Sequence, residues 1–200
     1  MKRIPVILAS GSKARSKILS QCGIPHLVKV SNAEEIMEPH KGPAYNARIN
    51  ARRKAEAVSK TLRNGIVIGA DTIVLRGKCL IGKPSTKAEA RQLLKSFSGK
   101  TISLYTGLYV RDVRRNRCVQ SVTVSIIKVK RIDKKEIDGY LEKLGPYDKA
   151  GGFSIEGVGS FIFDDIKGSY FNIIGLPMTS LNLLFKRLGV PLLDLVRLNK

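Results

Sequence analysis

A single carboxylate, Asp71, stands in the middle of the run Ile66-Val-Ile-Gly-Ala-Asp71-Thr-Ile-Val-Leu75. The apolar and β-branched residues around it predict a strand buried on both faces. A carboxylate buried there without a partner is costly. Asp71 must therefore emerge into a cleft or meet a cation, unless it simply caps a turn at the strand end. Gly69 and Ala70 leave the backbone before it bare, which would let a ligand approach. Beyond the run, Gly82-Lys83-Pro84 places a cation in a tight turn. Such a set reads as a chemical centre at Asp71, with the rest of the chain supplying cations around it.

Other chemistry-bearing residues lie on either side. Ser10-Gly11-Ser12 joins the strand Ile4–Ala9 to a helix over Lys13–Cys22, with Ser12 as its cap and Gly23 as its stop. Free N–H groups, Lys13 and Arg15 at that helix start make an anion site; two solvated bases on a capped helix are the plainer alternative. The pattern is not a P-loop, because GxxxxGK[ST] is missing. Glu34 and Glu35 follow the predicted strand Leu27–Ser31 and could ligate a hard cation at a cleft, or simply face solvent. The helix expected over Pro43–Lys60 carries Ala47, Ala51, Ala55 and Val58 at helical spacing. Its Arg48, Arg52, Arg53 and Lys54 read as a solvated face.

The remaining elements frame these groups. Thr86-x-x-Glu89 opens a helix to Phe97, and Asp133-x-x-Glu136 caps one through Leu141. Thr101–Asp112 and Cys118–Lys130 predict a long hairpin about Arg114–Arg117. The glycine-rich Pro146–Gly159, with Asp148, Lys149 and Glu156, predicts a binding loop. A strand over Phe161–Ile166 and a last helix over Met178–Leu188, with Pro177 at its start, complete the order. The tail Leu192–Lys200 is short and amphipathic and has no assigned role.

Composition narrows the function classes. The 200 residues fit one large α/β domain or two small lobes. No apolar run reaches the length of a membrane span, and no signal-type segment opens the chain. Cys22, Cys79 and Cys118 form no CxxC pair, so neither a zinc site nor a disulfide frame is expected, and a reducing cytoplasm suits them. The net charge of +20 would serve nucleic-acid binding or attraction of a small polyanion. Without a zinc-finger or aromatic RNP pattern, and with no Trp, nucleic-acid binding is the second hypothesis.

Taken together, Leu8-Ala-Ser-Gly-Ser12-x-x-Arg15, Arg53-Lys-Ala55, Gly69-Ala-Asp-Thr72, Gly82-Lys-Pro84, Ser98-Gly99, Tyr105-Thr-Gly107, Asp148-Lys-Ala-Gly151 and Gly175-Leu-Pro177 stand in one order. In that order the chain resembles the Maf family over nearly its whole length. These proteins are nucleoside triphosphate pyrophosphatases, also called septum formation inhibitors. The resemblance implies a single α/β domain over 1–200, an elongated mixed sheet with helices on both sides. It also implies two lobes around a central cleft, similar to the inosine triphosphate pyrophosphatase architecture. It further implies hydrolysis of a nucleoside triphosphate to monophosphate and pyrophosphate, a house-cleaning reaction on the nucleotide pool. The expected cofactor is a divalent cation, Mg²⁺ with Mn²⁺ or Co²⁺ as alternatives, and the expected state is a cytoplasmic homodimer. Asp71 would be the base, Glu35 and Asp71 would hold the metal, and Ser10, Arg15, Lys54 and Lys83 would bind phosphate. A cell-division regulator without catalysis follows only from the family's second name.

Two positions depart from the family's pattern. Ala14 stands where the family usually has the first arginine of Ser-x-Ser-Pro-Arg-Arg, and Glu156 where it often has Gln. With Thr72, these resemble the specificity determinants of the family. Thr72 agrees with a thymidine or uridine triphosphate preference. An ionised Glu156 only accepts hydrogen bonds, which suits the donors of guanine or a 7-methylated guanine, and Ala14 leaves room for a larger base.

Overall fold

The computed structural model describes residues 4–144 and 149–197, the side chain of Leu144 excepted. Asp148 therefore lies outside the described residues, as do Pro146 and Tyr147 of the expected binding loop. The elements run β1 (Val6–Leu8), α1 (Lys13–Gln21), β2 (Leu27–Val28), α2 (Gly42–Ser59), β3 (Ile66–Arg76), β4 (Cys79–Ile81) and α3 (Lys87–Phe97). They continue through β5 (Thr101–Asp112), β6 (Arg117–Val129), α4 (Lys134–Leu144), β7 (Phe163–Lys167), α5 (Tyr170–Ile174) and α6 (Met178–Arg187). The strands form one mixed sheet in the order β2-β1-β3-β5-β6-β7, with β4 folded back on β3. β1 is parallel to β2 and β3, whereas β3, β5, β6 and β7 pair antiparallel in succession.

Helices cover both faces, and the two-residue period of β3 decides which face each one takes. Ile66, Ile68 and Ala70 point to α1 and α6, where Leu19, Leu181 and Phe185 meet them. Val67 points the other way, to Ala51, Ala55 and Val58 of α2. Farther along β3 and β5, Val74, Ile102 and Leu104 pack with Leu94 and Phe97 of α3 and Ile137 and Leu141 of α4. By strand parity Val74 and Leu104 belong to the same face as Ile68 and Leu108. That face therefore carries two cores in series. Between them Thr72 lies opposite Thr106, and their hydroxyls are hydrogen-bonded at 3.0 Å.

Glycine brings α2 against the sheet. A Cβ on Gly69 would lie 2.1 Å from the Ala51 carbonyl oxygen, and one on Gly107 would lie 2.2 Å from that of Ala47. The bare backbone beside Asp71 is thus filled by a helix, not left open to a ligand. This corrects the expectation from sequence. Its physical reason is that the alanine stripe of α2 and the two glycines let two backbones approach closely.

Most boundaries follow the capping residues. Ser12 accepts the Arg15 N–H, Asp133 and Glu136 exchange backbone contacts, and Thr86 accepts the Glu89 N–H while Glu89 turns to Ser85. The strand expected over Leu27–Ser31 pairs only at Leu27 and Val28. Residues expected to begin the last strand instead form a 3₁₀ segment, Gly157–Ile162, ahead of β7. In the tail, Leu192 is buried in the first core, and the Arg197 N–H donates to the Gly23 carbonyl at 2.7 Å. Among the described residues no helix is long and apolar enough to cross a membrane.

Candidate active site

Asn46, Asn50 and Lys54 lie four residues apart on α2 and so share one side of it. Lys54 is buried rather than solvated, unlike the exposed Arg52 and Arg53 beside it. Its Nζ donates to Asp71 Oδ1 at 2.6 Å and to Glu35 Oε1 at 2.5 Å. Asn50 donates to the other Asp71 oxygen, Oδ2, at 3.1 Å. Asp71, only 4% exposed, thus meets a cation and an amide at once, which offsets the cost of burying its charge. Two carboxylates on one ammonium leave the trio with one net negative charge.

The segment carrying Glu35 has no strand partner, and the two asparagines supply one. Asn50 accepts the Ile36 N–H at 2.9 Å and donates to the Ile36 carbonyl at 3.0 Å. Asn46 accepts the Glu38 N–H at 2.7 Å and donates to the Glu38 carbonyl at 2.9 Å. Side-chain amides here stand in for a neighbouring strand. Neither residue was expected to matter from sequence. A usable signal was present, because asparagine is a poor interior helix residue and two of them run beside the buried alanine stripe at the same four-residue spacing.

Arg15 is buried and fixed by three partners. Its Nε donates to the Gly175 carbonyl at 2.8 Å, Nη1 to the Ser10 hydroxyl at 2.9 Å and Nη2 to the Thr72 hydroxyl at 3.1 Å. The Thr106 hydroxyl donates to the Asn172 carbonyl at 3.2 Å, so Thr72 donates to Thr106 and accepts from Arg15. Burial lowers the Arg15 pKa, opposed by the charges of Asp71 and Glu35. A guanidinium still keeps its proton. At Glu35, burial pushes the carboxyl up. The hydrogen bond and charge of Lys54, with Lys83 and Arg15, outweigh this and hold it below the ordinary glutamate value.

The opposite wall is built from the loop after α4. Gly151, at φ +75°, donates its N–H to the Gly82 carbonyl at 2.9 Å and so ties this loop to the turn bearing Lys83. Lys149 and the Glu156 N–H both donate to the Ser154 hydroxyl, at 2.9 and 3.2 Å. Tyr140 accepts the Ser154 N–H at 3.1 Å, and burial pushes its phenol up to about 12. Lys83 is exposed.

These walls enclose a cavity of about 730 Å³. Ser10, Ala14, Arg15, Glu35, Lys54, Asp71, Thr72, Lys83 and Glu156 all line it, so the candidates read from sequence converge on one place. Glu34 is not among the lining residues; its carbonyl accepts from Arg53 at 3.1 Å. Lys13 and Lys17 of α1 also line the cavity. Among the described residues no cluster of three or more His, Cys, Asp or Glu side chains gathers as a metal cage. The arrangement can hold an anionic chain on cations while a carboxylate faces it.

Comparison with known proteins agrees with this geometry. The family model described as Maf-like protein matches residues 5–188. A dTTP/UTP pyrophosphatase of Desulforamulus reducens is 37% identical over 186 residues, covering 93% of this chain and 97% of that protein. One from Caldicellulosiruptor saccharolyticus is 35% identical over 192 residues, covering 94% and 96%. One from Bacillus anthracis is 37% identical over 176 residues, covering 88% and 91%. With a family match over residues 5–188 and relatives aligned over 88% to 94% of it, the chain belongs to the Maf-like protein family.

Proposed function

We propose that the chain hydrolyses a nucleoside triphosphate between its α and β phosphates, releasing a nucleoside monophosphate and pyrophosphate. The observation that carries this reading is the buried Asp71–Lys54–Glu35 trio, open to a cavity that Arg15, Lys13 and Lys83 also line. Asp71 acts as the base that orients a water toward the α-phosphorus and takes its proton. Its two oxygens offer about four lone-pair sites, so the bonds to Lys54 and Asn50 leave capacity for a water. Lys54 fixes the carboxylate. Arg15 and Lys83 hold phosphate oxygens and stabilise the charge that develops on the leaving pyrophosphate. The Ser10 hydroxyl accepts from Arg15 and keeps its own proton to donate.

The donor set fits a divalent cation of the magnesium kind. Such an ion takes one or two carboxylates together with substrate phosphates, not a closed protein cage. Glu35 and Asp71 would hold it, and when bound it supplies charge neutralisation and Lewis-acid polarisation at the phosphates. The two cores flanking the cavity support a single domain with two lobes.

For the base, the names of the relatives favour uracil and thymine, as does Thr72. A guanine-like base is the second reading, favoured by the Glu156 carboxylate and by Ala14 on the cavity wall. A pyrophosphate-release screen with Mg²⁺ over UTP, dTTP, CTP, GTP, 7-methyl-GTP and ATP tests the whole. Pyrophosphate and monophosphate in equal amounts from at least one substrate is the expected result. No release from any, with steeply salt-dependent oligonucleotide binding, would favour a non-catalytic basic protein instead.

A further inference from the structure

Lys17 of α1 and Glu156 of the loop after Phe153 are 139 positions apart in the chain and meet at the cavity wall, with Nζ 3.3 Å from Oε1. Both line the cavity. Exposed ion pairs of this kind add little to stability, and the hydrolytic chemistry uses neither group. Helix α1 starts at Lys13, after the Ser12 cap, and Lys17 lies four residues on, about 6 Å along the helix axis. Between them Ala14 leaves open space, and Phe153, Ile155, Ile173 and Ile174 give the cavity an apolar wall. With the phosphates at Arg15 and Lys83, this is where a flat heterocycle would lie.

Resting on the hydrolase reading above, we infer that Lys17 and Glu156 act as one base-reading couple that selects a lactam edge, a carbonyl directly beside a ring N–H. An ammonium only donates and a carboxylate only accepts. Side by side they present a donor next to an acceptor. Uracil, thymine, guanine and hypoxanthine carry the complement, an acceptor carbonyl next to a donor N–H. Cytosine and adenine carry the reverse order, an amino donor next to an acceptor ring nitrogen. A base pinned through its phosphates cannot exchange the two positions. A glutamine amide offers the same donor–acceptor couple within one group. Lys17 thus supplies the donor that Glu156 alone lacks, and Glu156 becomes compatible with uracil and thymine as well as with guanine.

The test compares kcat/KM for UTP against CTP and for ITP against ATP, pairs that differ only at this edge. It uses wild type, Lys17→Met and Lys17→Arg. Wild type is expected to favour UTP and ITP by about 100-fold or more, as a site built around a substrate hydrogen bond does. Lys17→Met is expected to cut both ratios by roughly tenfold or more through a higher KM for the lactam substrates. Lys17→Arg, which keeps a donor, is expected to retain most of both. Turnover with both ratios unmoved in Lys17→Met would overturn the inference and leave the hydrolase reading intact. So would an equal loss on all four substrates, which would mean that Lys17 acts only through its charge on the triphosphate. No pyrophosphate from any of the four would overturn the hydrolase reading, and this inference with it.

Discussion

Asn50 donates one amide hydrogen to Asp71 Oδ2 at 3.1 Å and the other to the Ile36 carbonyl at 3.0 Å. The side chain that aims the carboxylate is therefore the same one that holds the segment bearing Glu35. Two acids drawn from separate parts of the chain are placed by one residue of α2, with Lys54 one turn farther along bridging them.

Asn50→Ala is accordingly expected to lower kcat by about 10- to 100-fold, the range for a misplaced catalytic group, with a smaller change in KM. The Ile36 amide should lose protection from hydrogen exchange in the same variant, because its acceptor is gone. Unchanged exchange at Ile36 together with wild-type kcat would show that Asn50 positions neither group.

Lys83 carries its charge into the cavity from an exposed turn, so its removal should leave the fold intact. Lys83 holds phosphate in the bound substrate and also meets the charge that develops on the leaving pyrophosphate, so Lys83→Ala is expected to raise KM and lower kcat together, each by about tenfold. Steady-state kinetics at fixed Mg²⁺ measures both. If neither constant moves, Lys83 does not hold phosphate.

Stability depends on the glycine contact under α2. A methyl on Gly69 would meet the Ala51 carbonyl at 2.1 Å and the Ala55 Cβ at 2.8 Å, where only backbone and a core side chain can yield. Gly69→Ala is expected to cost about 3 kcal/mol, the upper part of the overpacking range, and to lower Tm by about 6–12 °C. Gly139 has nothing within 4 Å of such a methyl, so Gly139→Ala in α4 serves as the control and should not destabilise. Equal melting of the two variants would contradict the packing described.

Tyr140 gives an alkaline signature. Its folded pKa of about 12 lies above the ordinary 10.0, because burial disfavours the phenolate. Its contribution is therefore complete below the unfolded value and is lost as pH rises from there through the folded value. Over that window the unfolding free energy of wild type should fall more steeply than that of Tyr140→Phe, by up to about 1.4 kcal/mol per pH unit. Denaturant titrations at a series of alkaline pH values measure the difference. Parallel curves would place Tyr140 in water.

The part of this architecture that is legible in sequence is the part governed by local signals. Ser12, Thr86 and Asp133 announce their helices because capping needs a short oxygen-bearing side chain. The β5–β6 hairpin shows in its two β-rich arms. Asp71 and Lys83 are visible because charge in apolar or tight surroundings asks for a partner. What is not legible depends on contacts across long separations. Lys54 reads as one base in a solvated run, and only the meeting of α2 with β3 buries it. Gly69 reads as room for a ligand, and only the helix above it shows otherwise. Asn46 and Asn50 replace a strand that the short β2 does not provide. The Lys17–Glu156 pair joins positions that no local pattern connects.

The most direct measurement follows the oxygen of the attacking water. The best substrate of the pyrophosphate screen is turned over in ¹⁸O-enriched water by wild type and by Asp71→Asn, and both products are weighed by mass spectrometry. The expected result is label in the nucleoside monophosphate, unlabelled pyrophosphate, and a rate in Asp71→Asn lower by about 10²- to 10⁴-fold, the usual loss with a general base. Label in the pyrophosphate, release of single phosphates, or an Asp71→Asn rate within about threefold of wild type (a small shift on the scale of mutant kinetics) would contradict attack at the α-phosphorus by a water that Asp71 activates.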